Sequence, residues 1–169
     1  TLSTIGYTSG TTGHPKGAMQ SHKAVIFNGA MTSQIHMRGQ DDVVVSALPC
    51  PHVYANVLMT GMMMFGTKLV LHKTFDPGLI LQDIANHKAT IFDGVPTMYM
   101  FMLNSPAFAE ADLSSLKRCY VGGQTMPVAT MEAVEKGFKI PLYELWGMTE
   151  IAGLGSTHPL YGKNKHGSI

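Results

Sequence analysis

The sequence contains few cysteines and no excess of charge of one sign. Cys50 and Cys119 are its two cysteines, and they form neither a CxxC pair nor the dense pattern of a disulfide-stabilised protein. This predicts two core thiols in a reducing compartment, and we expect a cytoplasmic protein. The chain carries 12 basic and 11 acidic side chains without a block of either sign. That balance argues against nucleic acid or an anionic membrane surface as a partner.

Long hydrophobic runs are lacking as well. The most apolar stretch, residues 57–71 (VLMTGMMMFGTKLVL), is interrupted by Thr60, Gly61, Gly66 and Lys68, and it is too short to span a bilayer. The eight histidines show no HxH or HExxH spacing, so the sequence predicts no zinc site. What the chain does have is 45% hydrophobic residues, enough to bury one core.

Short apolar runs alternate with amphipathic stretches along the chain. Runs rich in β-branched or aromatic residues predict strands at 4–8, 42–47, 67–71, 89–92, 117–121 and 141–145. Helices are predicted between them, at 22–37 with Ser21 as N-cap, at 52–64, at 77–87 behind Asp76 and Pro77, and after Pro96 and Pro127. This alternation is typical of βαβ units. It predicts an α/β fold with a mostly parallel sheet and helices on both faces.

Ligands of such sheets bind where strands end, here after residues 8, 47, 121 and 145. The first of these places is residues 7–22, YTSGTTGHPKGAMQSH. Its glycines let the backbone approach a ligand closely, and its hydroxyl groups and the Lys16 ammonium can bind phosphate oxygens. Lys16 lies between a proline and a glycine, so this is not the GxxxxGK[ST] loop. A polyphosphate site is the favoured interpretation, and a flexible turn without a ligand is the alternative.

A second segment, YVGGQTMP at 120–127, follows the fifth predicted strand. Gly122 and Gly123 leave a flat backbone surface beside which adenine can lie, and Gln124 can hydrogen-bond the edge of that ring. A plain turn between a strand and a helix explains the same residues.

A third segment, YELWGMTE at 143–150, contains the last predicted strand. The Thr149 hydroxyl can hold a phosphate oxygen, and the Glu150 carboxylate can bind Mg²⁺, which prefers oxygen ligands. A Thr–Glu pair after a strand is also an ordinary turn and helix cap, and that alternative stays open on these residues alone.

Together, these segments resemble the motifs of a known family. Residues 7–22 resemble the signature loop of the adenylate-forming superfamily, which includes acyl-CoA synthetases, peptide-synthetase adenylation domains and beetle luciferases. YELWGMTE resembles that family's YGxTE segment, and YVGGQTMP resembles its glycine-rich adenine segment. The resemblance covers essentially the whole chain. It implies that residues 1–169 are a single partial AMP-binding domain, the central part of the large N-terminal domain, without the C-terminal catalytic domain.

The resemblance also implies a two-step reaction. ATP and a carboxylate give an acyl-adenylate and pyrophosphate, and a thiol, usually that of coenzyme A, then takes the acyl group. The implied cofactors are ATP, Mg²⁺ and coenzyme A, and the implied partner is a small carboxylate. The family has a ribose-binding aspartate and a catalytic lysine downstream of these motifs. We therefore expect the 169-residue chain alone not to complete the reaction.

Individual residues acquire roles from the same resemblance. Those implied in catalysis are Lys16, His52, Thr149 and Glu150, and those implied at the metal are Thr8 and Glu150. Those implied in nucleotide binding are Thr8, Ser9, Gly10, Thr11, Thr12, Gly13, Lys16, Gly122, Gly123, Gln124, Trp146, Gly147, Met148 and Thr149. Trp146 stands where the family usually has Tyr, and its ring can stack on a purine or line the acyl site.

The segment LPCPHVYAN at 48–56 resembles the part of the family that borders the acyl pocket. His52 occupies the place where amino-acid adenylation domains typically carry an aspartate for the substrate ammonium, so amino-acid substrates are disfavoured. Pro51 and Leu145 depart from the family pattern and can reshape the pocket. Several methionines, at 59, 62, 63, 64, 98, 100 and 102, predict either a flexible pocket lining or core packing.

Three functions remain as hypotheses. The first is a carboxylate–CoA ligase acting on a fatty or related acid. The second is a nucleotide-binding module without turnover. The third is an adenylation or luciferase-type relative that passes the acyl group to a carrier thiol or the adenylate to oxygen. The sequence predicts neither the acyl group nor the oligomeric state.

Overall fold

The computed structural model describes residues 1–9 and 13–169. Its strands are β1 (Leu2–Thr8), β2 (Lys16–Ser21), β3 (Val43–Ser46), β4 (Lys68–Leu71), β5 (Ile91–Gly94), β6 (Arg118–Val121), β7 (Leu142–Met148) and β8 (Gly153–Thr157). Its α-helices are α1 (His22–Ile35), α2 (Val53–Phe65), α3 (Pro77–Asn86), α4 (Pro96–Leu103) and α5 (Val128–Phe138), and short 3₁₀ helices cover Pro106–Glu110 and Thr149–Ile151. Within the described residues, no helix is long and apolar enough to cross a membrane.

Six strands form one sheet in the order β4-β3-β5-β6-β7-β8. All neighbouring strands from β4 to β7 pair in parallel, and β8 pairs with β7 in the antiparallel sense. Helices α1 and α2 pack against each other, and α4 packs against both α3 and α5. The predicted α/β fold, with a mostly parallel sheet covered by helices, is confirmed.

The prediction that the strand at 4–8 belongs to the parallel sheet is wrong. Strand β1 pairs with β2 in a separate antiparallel sheet of two strands. The second strand of this hairpin, KGAMQS, lacks the β-branched and aromatic residues that mark a strand, so no sequence pattern predicted it. The connection between β1 and β2 is also too short for the crossover that a parallel pair needs.

The end of β7 differs from the prediction as well. The strand continues past residue 145 to Met148, and the segment GLGST, with no apolar alternation, adds the unpredicted strand β8 beside it. A Cβ atom at Gly147 would overlap the carbonyl oxygen of Gly153, so the two strands approach this closely only because residue 147 is glycine. This extension carries the residues from 146 onward beyond the edge of the parallel sheet.

Local sequence signals place the helices correctly. The Ser21 hydroxyl accepts a hydrogen bond from the Ala24 backbone N–H at 3.1 Å, and Asp76 accepts one from the Leu79 N–H at 2.9 Å. Each side chain satisfies an N–H group that the first turn of its helix leaves without a partner.

The two cysteines have different environments. The prediction of a core thiol holds for Cys119, which is buried on β6, and is wrong for Cys50. Cys50 is exposed in the loop between β3 and α2, because the prolines on both sides of it keep this segment out of the sheet and out of the helix.

The core lies between the sheet and its helices. Its largest fully buried apolar side chains are Tyr99, Tyr120, Phe92, Ile80, Leu81, Ile84, Ile91, Met102, Met131, Leu142 and Val44. The parallel strands are short and apolar, with both faces covered, as is usual where crossover helices pack on a sheet.

A buried carboxylate joins the amino ends of three neighbouring strands. Asp42, just before β3, accepts hydrogen bonds from Thr90 Oγ1 before β5 at 2.7 Å and from Arg118 Nη2 at the start of β6 at 2.9 Å. It also accepts one from the Gly39 backbone N–H at 3.2 Å. Removing the carboxylate would leave the Arg118 charge without its partner in a half-buried place.

We therefore expect Asp42→Ala to lower the free energy of unfolding of the intact protein that carries this sequence by about 3 kcal/mol. Asp41→Ala is the matched control, because Asp41 is the exposed neighbour, and its effect should stay within about 0.5 kcal/mol. Urea unfolding followed by circular dichroism measures both. Equal effects of the two substitutions would contradict this role of Asp42.

Candidate functional site

The main cavity, named for the motif residues that line it rather than for its size, lies at the carboxyl ends of the parallel strands. It has a volume of about 330 Å³. Strand β7, helix α2, the end of β1 and the loop after β6 each contribute to its walls, and its lining residues are Thr8, Thr32, His52, Val53, Tyr54, Val57, Gly123, Leu145, Gly147, Met148, Thr149, Glu150, Gly153 and Leu154. This is the edge of an α/β sheet where ligands are expected.

The cavity brings together seven of the sixteen site residues predicted from the sequence. Those that line it are Thr8, His52, Gly123, Gly147, Met148, Thr149 and Glu150. Among the described residues, those outside its lining are Ser9, Gly13, Lys16, Gly122, Gln124 and Trp146. Three predicted residues, Gly10, Thr11 and Thr12, lie outside the part of the chain that the structure describes.

The hairpin of β1 and β2 reaches the cavity through a contact with the turn after β7. Gln20 on β2 donates a hydrogen bond from Nε2 to the Thr149 carbonyl at 2.6 Å. On β1, a Cβ atom at Gly6 would lie 2.5 Å from the Thr149 methyl carbon, so the absent side chain makes this contact possible. These contacts hold Thr8, at the end of β1, beside the turn.

Lys16 lies directly across the hairpin from Thr8. The two residues are paired in the β1–β2 register, and the Thr8 hydroxyl donates to the Lys16 carbonyl at 3.5 Å. The Lys16 side chain is exposed and, within the described residues, makes no ion pair. Its ammonium is therefore available to an anion on this side of the hairpin.

A single 3₁₀ turn presents the acidic residue of the site. Thr149 and Glu150 begin this turn directly after β7. Glu150 is exposed and makes no ion pair with any residue that the structure describes, and the Thr8 and Thr149 hydroxyls line the same cavity. One carboxylate with neighbouring hydroxyls and a phosphate group suits Mg²⁺, which takes few protein ligands and keeps the rest for water and substrate.

Protein ligands alone do not form a metal site here. Within residues 1–9 and 13–169, no three His, Cys, Asp or Glu side chains are close enough to hold an ion. A magnesium ion at Glu150 would therefore need oxygen ligands from a bound phosphate, as is usual for this cation.

His52 caps helix α2 at the cavity. Its Nδ1 atom accepts a hydrogen bond from the Tyr54 backbone N–H at 3.2 Å. Because an acceptor nitrogen carries no proton, the neutral ring has its proton on Nε2. His52 thus offers a hydrogen-bond donor at the cavity wall, whereas an aspartate there would offer an acceptor.

The glycine segment after β6 contributes backbone. Gly123 lines the cavity with φ of 82°, a conformation that favours glycine, and Gly122 is buried against Leu145 of β7. Gln124 is exposed.

The pairing of β7 with β8 is irregular between Trp146 and Gly147. Leu145, Gly147 and Met148 line the cavity, and Trp146 packs its ring over Gly155 of β8 instead. Trp146 is 49% exposed.

None of the seven methionines singled out in the sequence lines this cavity. Met98 and Met102 are buried, and Met63 is 79% exposed, so packing and surface positions account for these methionines in the described structure. The sequence signal for a methionine-lined pocket does not correspond to this cavity.

A buried polar cluster lies behind the cavity, and the sequence motifs did not predict it. Tyr54 lines the cavity and donates its hydroxyl proton to Asp93 Oδ1 at 3.0 Å, and Arg38 Nη2 donates to the same oxygen at 2.9 Å. Arg38 also lies 5.0 Å above the Tyr120 ring, and His36 stacks on that ring at 3.9 Å. The signal for this cluster was a lone acid within an apolar segment, TIFDGVP, and a lone arginine near the end of α1.

The charges in this cluster follow from burial and from Asp93. Burial raises the pKa of the Tyr54 hydroxyl well above its ordinary value and Asp93 raises it further, so Tyr54 is a neutral donor. Burial lowers the pKa of Arg38, but Asp93 outweighs that effect and the pKa is raised. Burial, then the Arg38 and Arg118 charges, lower the pKa of His36 well below its ordinary value, which keeps that ring neutral.

Comparisons with known proteins agree with this architecture. The family model described as AMP-binding enzyme matches residues 1–169. The chain is 34% identical to a long-chain-fatty-acid–CoA ligase of Bacillus subtilis over 99% of its length, which is 30% of that protein. It is 32% identical to an indoleacetate–CoA ligase of Aromatoleum aromaticum, with 97% of this chain and 32% of that protein covered.

A solved structure gives the same result for the fold. The O-succinylbenzoate–coenzyme A synthetase of Bacillus subtilis, in complex with ATP and a magnesium ion, superimposes with a TM-score of 0.81 and 26% identity over 92% of this chain and 32% of that one. The chain spans about a third of the length of these relatives. On the match to the whole chain and the shared fold, the protein belongs to the family of AMP-binding enzymes.

Proposed function

We propose that the protein is an AMP-forming carboxylate–CoA ligase, which activates a fatty or related acid with ATP and transfers the acyl group to coenzyme A. The observation that carries this proposal is the single cavity that joins Thr8, Thr149 and Glu150 to Gly123 and His52. Hydroxyl groups, a carboxylate and an open backbone surface meet there at the carboxyl edge of the sheet, which supports a site for phosphates, Mg²⁺ and adenine. The relatives with CoA-ligase names support the assignment.

In this proposal, residues 1–169 act as one partial AMP-binding domain, and the cavity has two parts. The nucleotide part lies between the hairpin, the Thr149–Ile151 turn and Gly123, where Lys16 and the hydroxyls of Thr8 and Thr149 would bind the phosphates. Gly122, Gln124 and Gly147 would shape the adenine side, with Met148 and Trp146 at its border. The acyl part lies along α2, at His52, Val53 and Tyr54.

These groups suit the first step of the reaction. An oxygen of the substrate carboxylate forms a bond to the α-phosphorus of ATP, and the bond to the pyrophosphate leaving group breaks. The Lys16 ammonium and the hydroxyl groups would stabilise charge on the phosphates. Mg²⁺, when bound at Glu150 and Thr8, would neutralise charge on phosphate oxygens. His52 Nε2–H would orient the carboxylate by a hydrogen bond.

Exchange of labelled pyrophosphate into ATP tests the function directly. The intact protein that carries this sequence should catalyse exchange that depends on an added carboxylic acid, and AMP and an acyl-CoA should form when coenzyme A is present. Nucleotide binding without acid-dependent exchange would instead support the alternative of a binding module.

We expect Lys16→Ala in the intact protein to slow adenylation by about a hundredfold, because a charged donor aimed at the phosphates is lost. Lys16 is exposed, so the free energy of unfolding should change little. Lys23→Ala, another exposed lysine nearby on α1, is the control and should retain the parent rate. Single-turnover kinetics with saturating ATP provides the measurement, and a Lys16→Ala rate equal to that of the parent would exclude the proposed role.

A magnesium titration tests Glu150. Glu150→Gln keeps the shape of the side chain but loses the charge, so the Mg²⁺ concentration for half-maximal exchange should rise by about tenfold. Glu132→Gln, an exposed glutamate on α5, should leave the titration unchanged. Superimposable titrations of Glu150→Gln and the parent would show that Glu150 does not hold the metal.

A further inference from the structure

We propose that the acyl part of the cavity is a closed pocket, so that the protein takes a short-chain or single-ring carboxylic acid and rejects long alkyl chains. The proposal rests on the proposed ligase function. It assigns two specificity-determining residues, Tyr54 and Asn28, and Asn28 lies outside all of the sequence motifs. Three walls of the pocket carry the argument.

The first wall is Tyr54, whose hydroxyl group is hydrogen-bonded to a buried ion pair. Its hydroxyl donates to Asp93 Oδ1 at 3.0 Å, and the same oxygen receives Arg38 Nη2 at 2.9 Å. The Arg38 and Asp93 side chains are 4% and 0% exposed. Displacing Tyr54 would break its hydrogen bond to the buried Asp93 carboxylate. This loss is costly where no water can replace the bond. An alkyl chain therefore does not pass beneath this ring.

The second wall is the contact between α1 and α2. A Cβ atom at Gly61 of α2 would lie 2.7 Å from Ser33 Oγ of α1, and one at Gly29 of α1 would lie 2.6 Å from the Thr60 methyl carbon. The two helices approach closely because residues 29 and 61 have no side chain. Behind this contact lies a second cavity with a volume of about 10 Å³, which is too small to hold a chain.

The third wall is a clamp made by Asn28 of α1 on the start of β8. Its Nδ2 donates to the Leu154 carbonyl at 2.8 Å and to the Ile151 carbonyl at 3.3 Å, and its Oδ1 accepts from the Leu154 N–H at 2.9 Å. Thr32 donates to the same Oδ1 at 3.3 Å. A Cβ atom at Gly153 would collide with Asn28 and Val57, so the clamp leaves no gap beside the strand.

An apolar groove lies on the far side of this clamp. It has a volume of about 560 Å³ and shares Thr32 and Leu154 with the main cavity. Its other lining residues include Phe27, Met31 and Ile35 of α1. Asn28 and Thr32 therefore separate the pocket from a surface on which an alkyl chain could lie.

Of the three walls, the Asn28 clamp is the one that a single substitution opens. Its bonds go to half-buried backbone groups, and water can replace them when the amide is removed. Tyr54, by contrast, is braced by a buried ion pair. Asn28→Ala should therefore join the pocket to the groove and extend the range of acids toward longer chains.

The test uses the intact protein that carries this sequence and acid-dependent pyrophosphate exchange. The acids are hexanoate and phenylacetate as compact substrates, and dodecanoate and hexadecanoate as long ones. In the parent, kcat/KM for a compact acid should exceed that for dodecanoate by about tenfold or more. In Asn28→Ala, the ratio of kcat/KM for dodecanoate to that for hexanoate should rise by about tenfold.

Asn86→Ala is the matched control, since Asn86 is exposed on α3, far from the cavity lining, and it should keep the parent ratio. A parent that prefers dodecanoate or hexadecanoate would overturn the closed pocket, and so would an Asn28→Ala ratio within twofold of the parent. If Asn28→Ala fails to fold, Asn28→Ser, which loses the amide but keeps a polar side chain, must shift the same ratio toward dodecanoate, and an unchanged ratio overturns the proposal. If none of the acids supports pyrophosphate exchange, the ligase function itself is rejected. That result is distinct from exchange that shows no size selection.

Discussion

Two amide side chains hold the turn on which the candidate site depends. Gln20 of the hairpin binds the Thr149 carbonyl, and Asn28 of α1 binds the backbone of Ile151 and Leu154. The turn leaves the sheet after β7 and has little apolar packing of its own, since Trp146, Met148, Glu150 and Ile151 are exposed. Hydrogen bonds from separate elements, rather than burial, therefore fix the position of Thr149 and Glu150.

Different contacts hold the sheet that forms the floor of the cavity. Its floor is a parallel sheet whose strands are pinned at both ends, by Asp42 with Arg118 and Thr90 at the amino ends and by Asp93 with Arg38 and Tyr54 at the carboxyl ends. Buried ion pairs contribute little net stability compared with apolar packing, but breaking one is costly. In this protein the Arg38–Asp93 pair orients Tyr54, so the position of this pair affects the shape of the proposed acyl pocket.

The sequence predicted the parts of the fold that rest on local signals. Caps such as Ser21 and Asp76, and short apolar strands such as the one at 89–92, follow from propensity and periodicity, and the parallel sheet follows from their alternation. Strands β2 and β8 could not be predicted this way, because KGAMQS and GLGST become strands only by pairing with a neighbour. Pairing of this kind is a tertiary property.

The same distinction between local sequence signals and tertiary contacts applies to the candidate site. Thr8, Thr149 and Glu150 carry chemistry that a motif can show, and the cavity lining includes all three. Asn28, Tyr54 and Asp93 act through contacts between residues far apart in sequence, such as Asn28 with Leu154 and Arg38 with Asp93. No spacing along the chain reveals such pairs, and only the fold brings them together.

A crystal structure of the intact protein with Mg²⁺ and a non-hydrolysable acyl-adenylate analogue of a short acid tests the central claim most directly. The account predicts adenine beside Gly123, the phosphate group within reach of Thr149 and the metal at Glu150. It also predicts the acyl group enclosed by His52, Tyr54 and Asn28. An analogue bound outside this cavity, or an acyl group that lies between α1 and α2, would contradict the account.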